Sequence, residues 1–219
     1  VITVTFLCDV YDIEDYYLTR DRINDLFVQD DYYYIIFKNE AYKRYKVRLN
    51  KEFVVPPTTR LQSFDVEFVC VDLYAESISS TQVDKLWDSG IFGWNNTINW
   101  DETPRYTFLT TEFTLQNIGT AIIDPRVSFA QVTIIGNFPS GLRLRNITTG
   151  DTYEFYGPIS TGQLLVLDGV RTLRGGENQF SLTNRRVIRY APGPNNFILE
   201  SDGPFDLTGI SFNLRFLYK

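Results

Sequence analysis

The feature that most constrains this chain is a two-residue alternation of apolar and polar side chains, recurring in short runs between clusters of Gly, Pro and Asn. Ile2, Val4, Phe6 and Cys8 alternate with other residues, as do Phe64, Val66, Phe68 and Cys70, and Ile210, Phe212, Leu214, Phe216 and Tyr218 close the chain in the same way. Because successive side chains of a strand point to opposite faces, each run predicts a strand with one buried face. Strands at this spacing call for a mainly β protein, and 219 residues suffice for one large or two small domains.

The two halves differ. Residues 1–105 hold 18 acidic and 11 basic side chains, against 9 and 10 in residues 106–219, where Lys occurs only at Lys219. The shift predicts an α+β domain over 1–90, a turn-rich linker over 91–105 and a β-sandwich over 106–219. In the first half, 15–29 reads as an amphipathic helix, Tyr33–Phe37 as a short strand, and 43–53 as a strand with Tyr45, Val47, Leu49 and Phe53 on one face. A hairpin across Pro56 and Pro57 would set Val47 opposite Val66, Arg48 opposite Asp65 and Lys46 opposite Glu67, pairing opposite charges. The second half predicts strands at 109–115, 127–135, 142–147, 164–167 and 210–218. Its turns fall at 146–151 and 167–170, with a tight loop at 192–196.

Composition excludes several chemistries. With no His, the chain can build neither a Ser-His-Asp nor a Cys-His nucleophile pair, nor a His-ligated metal site. Cys8 and Cys70 are too few for a zinc site and read as buried free thiols. The carboxylates mostly fall in turns or on solvated faces, so no catalytic, cofactor-binding or metal residue is assigned. Eight acids at positions 9–31 face only Arg20 and Arg22, the wrong sign for binding nucleic acid. Within them Asp12, Glu14 and Asp15 are candidates for lining a negatively charged channel. Trp94 and Trp100 are candidates for a sugar platform if the protein is instead a carbohydrate-binding module. No apolar run reaches the length of a membrane helix. The absence of Met, together with a strand-like opening, leads us to expect further sequence ahead of Val1. Asn95 and Asn146 stand in glycosylation-type triplets, read as coincidence.

Several segments together resemble the distal tail proteins of siphophages that infect Gram-positive bacteria. They are PheThrLeuGlnAsnIleGlyThr (113–120), LeuArgLeuArgAsnIleThrThrGlyAsp (142–151), LeuLeuValLeuAspGly (164–169), PheSerLeuThrAsn (180–184), ProGlyProAsnAsnPheIleLeu (192–199) and the closing IleSerPheAsnLeuArgPheLeuTyr (210–218). The resemblance implies an N-terminal tail-ring domain, whose start would lie upstream, and a C-terminal sandwich similar to galectins and carbohydrate-binding modules. It further implies a non-enzymatic homo-hexameric hub in the virion tail tip, assembled in the host cytoplasm and joining tail tube, tail-associated and receptor-binding proteins. DNA would meet it only in transit through the ring, and no cofactor or membrane is implied.

Overall fold

The structure, a computed structural model, describes residues 1–57, 61–82 and 104–219. It divides into two compact units, one of residues 1–39 and 44–75, the other of residues 40–43 and 76–219.

In the first unit, β1 (Ile2–Cys8) is followed by helix α1 (Ile13–Phe27), β2 (Tyr33–Ile35), β3 (Lys43–Leu49) and β4 (Gln62–Cys70). The strands form an antiparallel sheet in the order β1-β4-β3-β2. Val4 faces Val66 and Phe6 faces Phe64, so the alternation noted above becomes one continuous apolar face. Phe27 of α1 packs against it, with ring centroids 5.0 Å from Phe6 and 5.7 Å from Phe68. Val47, Val66 and Phe68 are fully buried there, each worth roughly 1.5–3 kcal/mol of apolar transfer. The helix is pinned from its own side by the Tyr16 hydroxyl, which donates to the Val55 carbonyl at 2.9 Å.

Strands β3 and β4 do pair, but Val47 faces Cys70, Arg48 faces Val69 and Leu49 faces Phe68, a register four residues from the one expected. Apolar faces still match, since the shift is even. The absolute register follows from the connection, because β3 ends at Leu49 and Val55 is buried under Tyr16 rather than extending the hairpin. The expected charge pairs, each worth under about 1 kcal/mol, were too weak to oppose that. Glu67 instead pairs with Lys51, and Lys46 with Asp72.

Strand β5 (Ala75–Ser77) leads into the second unit, where the Ser77 N–H donates to the Phe216 carbonyl at 2.8 Å. The following strands are β6 (Thr107–Phe108), β7 (Glu112–Asn117), β8 (Ala130–Asn137), β9 (Leu142–Asn146) and β10 (Asp151–Phe155). After these come β11 (Leu164–Asp168), β12 (Arg171–Arg174), β13 (Glu177–Asn178), β14 (Gly193–Glu200), β15 (Asp206–Leu214) and β16 (Leu217–Tyr218). Strands β6 to β15 build a four-stranded sheet, β10-β9-β14-β7, and a six-stranded sheet, β13-β12-β11-β8-β15-β6, both antiparallel. The unit is thus a β-sandwich. Its core joins Phe113 and Phe197, stacked 5.3 Å apart, to Phe212 of the other sheet, 5.4 Å from Phe197.

Both expected turns form. Gly150 closes the β9–β10 hairpin at φ 73°, a conformation that favours glycine, and Gly169 joins β11 to β12. Three expectations are corrected. The strand expected at 109–115 starts only at Glu112, after a bend at 109–111 that separates it from β6. The strand expected at 127–135 starts only at Ala130, because the Val127 and Ser128 amides donate to the Asp124 carbonyl in a turn. The loop at 192–196 is mostly the beginning of β14, where the Asn195 side chain stands in for the missing strand partner.

Candidate interaction surfaces

Asp12, Glu14 and Asp15 meet at the start of α1, and local structure accounts for two of them. Asp12 is the N-cap, its carboxylate accepting from the Asp15 N–H at 2.8 Å, while the Asp15 carboxylate accepts from the Tyr11 N–H at 3.1 Å. Reciprocal capping of this kind satisfies otherwise unpaired amides, and all three negative charges face the positive end of the helix dipole. Starting the helix at 15 overlooked the Asp12-x-x-Asp15 spacing that announces it. Glu14 is exposed and has no capping bond among those of the helix start.

The face of the first sheet opposite its core is ordered in stripes. Thr3, Thr5 and Leu7 of β1 neighbour Glu67, Asp65 and Ser63 of β4, and Arg44, Lys46 and Arg48 of β3 follow. Beyond them lie Tyr32 and Tyr34, with the Lys46 ammonium 3.8 Å from the Tyr32 ring centre and the Arg44 guanidinium 4.0 Å from that of Tyr34. The Lys51 ammonium, with Asn50, holds the Glu67 carboxyl below its ordinary range. The basic run is therefore one wall of a mixed-charge sheet face. At the edge of the sheet, β1 pairs with no second strand among the described residues, and Ile2–Cys8 contains neither charge nor Pro. Such an edge is a template for another strand.

In the second unit the outward face of the four-stranded sheet is laced with ion pairs. Arg143 Nε lies 2.8 Å from Glu154, and Arg145 3.6 Å from Glu200. Arg189 grips Asp151 through both carboxylate oxygens at 2.9 Å. Arg143, helped by the Tyr156 hydroxyl, keeps the Glu154 carboxyl low. Arg126 does the same for Asp124. Burial alone would raise Asp151, but its bonds from Arg189 outweigh that and lower it. Inside the sandwich, Asn117, Asn146 and Asn195 are buried. Asn195 accepts from the Ala191 N–H and from Asn146 Nδ2, and donates to the carbonyls of Ala191 and Gly193. Asn146 also donates to the Arg189 carbonyl, and Asn117 to those of Ala121 and Tyr190. Asn146 is thus a structural residue with no exposed amide to modify.

Among the described residues no group of three or more Cys, Asp or Glu side chains is placed to hold a metal ion. Cys8 and Cys70 are free, and burial raises the Cys8 thiol, away from a reactive thiolate. Among the described residues no helix is long and apolar enough to cross a membrane. Trp94 and Trp100 lie outside the described residues, as does most of the expected 91–105 linker. Comparison with known proteins adds a family match and a likeness of fold. Residues 1–70 match the family model of the phage tail protein RIFT-related domain. No curated protein matches the chain in sequence. Among solved structures, the chain is similar to the Dit protein of phage SPP1, described as a paradigm of the hub adsorption apparatus in phages infecting Gram-positive bacteria. That likeness has a TM-score of 0.65 at 13% identity and covers 98% of this chain and 78% of that one. Two structures of the phage p2 baseplate in its activated conformation also match. The strontium form gives a TM-score of 0.38 at 13% identity, covering 98% and 79% of the two chains; the calcium form gives 0.39 at 12%, covering 99% and 79%. Residues 1–70 thus match a phage tail protein RIFT-related domain, and the chain shares the fold of the SPP1 Dit protein.

Proposed function

We propose that this protein is the structural hub of a phage tail tip, a hexameric ring joining the tail tube to the tail-associated and receptor-binding proteins. The observation that carries this reading is the coincidence of two independent likenesses. The stretch matching the phage tail family model, residues 1–70, lies in the first compact unit except for residues 40–43, and the SPP1 Dit protein shares the fold over almost the whole chain. The uncharged, one-sided edge of β1 supports ring closure, because a heterologous contact repeated around an axis needs a surface that accepts a different surface of the next copy. The role is architectural rather than catalytic, and its place is the virion tail tip after assembly in the host cytoplasm. DNA passes through the ring, and the acids at the start of α1, the exposed Asp12 and Glu14 and the half-buried Asp15, are the side chains assigned to its lumen.

A nonsense codon in this gene, carried by the phage and examined by electron microscopy of infected-cell lysates, tests the role. The hub reading expects filled heads without complete tails. Complete tails of normal length with an intact tip would contradict it.

A further inference from the structure

The sequence holds two Asp-Gly steps, Asp168-Gly169 and Asp202-Gly203. Such a step carries its own electrophile and nucleophile. The glycine amide nitrogen can close on the aspartate side-chain carboxyl, and a residue without Cβ leaves that approach unhindered. Closure needs an amide free of hydrogen bonds and a backbone able to turn, so the fold decides which of the two steps reacts. Asp168 ends β11, facing Gln131 of β8 on one side and Arg171 of β12 on the other. The Gly169 N–H donates to the Ala130 carbonyl at 3.0 Å, and the hairpin turn holds Gly169 at φ 59°. Closure there requires that bond and the end of the ladder to open first.

Asp202 lies instead at a bend between β14 and β15, with 80% of its side chain exposed. Arg143 Nη1 is 3.9 Å from its carboxylate, too far to hold it by a hydrogen bond. Among the described residues the Gly203 N–H donates to no acceptor. Both flanks are fastened, since Ser201 Oγ donates to the Gly141 carbonyl at 2.6 Å and Phe205 stacks on Phe138 with ring centroids 5.2 Å apart. The unbonded stretch is therefore confined to residues 202–204, with the reacting pair at its start.

We propose that Asp202-Gly203 is a self-modification site, at which the folded protein converts Asp202 to isoaspartate while Asp168 is protected. The Gly203 nitrogen loses its proton and bonds to Cγ of the neutral Asp202 carboxyl, whose hydroxyl takes up a proton and leaves as water. The product is a succinimide. Water then adds to one of its two carbonyl carbons and the bond from that carbon to nitrogen breaks. Opening at the α-carbonyl gives isoaspartate, with the main chain routed through Cβ and the former α-carbonyl now the free carboxylate. One water is released and one consumed, so mass and net charge are unchanged and no other reactant is needed. The added main-chain atom falls where Gly203 already packs so closely that a Cβ would lie 2.6 Å from Ser140 Oγ.

The step involves no partner and is independent of ring formation. The whole chain is incubated for several weeks in warm neutral buffer and digested, and isoaspartate is located by tandem mass spectrometry with electron-based fragmentation. A synthetic peptide of residues 199–205 is the reference for the reaction without the fold. Isoaspartate should accumulate about tenfold faster at 202 than at 168, because only the second step must first open a hydrogen-bonded turn. Asp202→Glu, which keeps the charge but lengthens the side chain beyond the five-membered ring, should abolish the signal at 202. As much isoaspartate at 168 as at 202, or none at 202 once the reference peptide has converted, would overturn the proposal.

Discussion

Replacing Asn195 with Ala should be among the most destabilising single changes in the second unit, although it removes only a small polar side chain. Asn195 is fully buried and uses all of its hydrogen-bonding capacity near the start of β14. Ala at this position leaves the Ala191 N–H and the carbonyls of Ala191 and Gly193 without that partner, while Asn146 keeps its bond to the Arg189 carbonyl. A buried polar group stripped of its partner costs about 1–3 kcal/mol, and relaxation recovers part of that, so a loss of about 3–5 kcal/mol is expected. At about 2–4 °C per kcal/mol for a domain of this size, the melting temperature should fall by roughly 6–20 °C. The neighbouring Asn196 is the control, since its side chain accepts from Thr114 on the exposed face; Asn196→Ala should cost under about 0.5 kcal/mol. Thermal unfolding followed by near-ultraviolet circular dichroism reads the tertiary packing of both variants. If Asn195→Ala cost no more than Asn196→Ala, the buried asparagine network would not be what anchors residues 189–193.

Three further predictions concern other parts of the chain. Arg185 adopts φ 58°, a left-handed conformation costly for a residue with a Cβ, so Arg185→Gly should stabilise the protein by about 0.5–1 kcal/mol in urea unfolding. Asp12→Ala removes the N-cap of α1 and should cost about 1 kcal/mol, whereas Glu14→Gln, which breaks no capping bond, should change stability by under about 0.5 kcal/mol. For the same reason only Glu14→Gln gives an unconfounded test of the lumen acids, read as a change in DNA ejection. Asp124, Asp151 and Glu154 have folded-state pKa values below the ordinary 3.8 and 4.5. Their contribution to stability is therefore complete above the unfolded range and lost as pH falls below about 4. Melting temperatures recorded from pH 6 down to 2.5 should drop through that window, and Asp151→Asn should flatten part of the drop.

Period-two alternation made much of this fold readable, because burial of one face is its direct physical cause. The strands at 2–8 and 62–70 stand as read, and the run expected as one strand over 210–218 breaks after Leu214 and resumes at Leu217, although Ile210, Phe212, Leu214 and Phe216 are all fully buried. Elements that rest on side-chain hydrogen bonding were harder to see. Pro192, Gly193 and Pro194 carry strong turn signals, yet Asn195 converts the segment into the start of a strand by satisfying Ala191 and Gly193. Asn146 looked like a turn residue within a glycosylation-type triplet. Its inward phase after Leu142 and Leu144 was the overlooked sign, repeated by Asn117 after Phe113 and Leu115.

The hub account is tested most directly by the mass of the protein in solution, measured by light scattering behind a sizing column over a wide concentration series. The account predicts a mass of six 25.4 kDa chains, or a multiple of six, persisting on dilution. A mass of one chain at every concentration would contradict it.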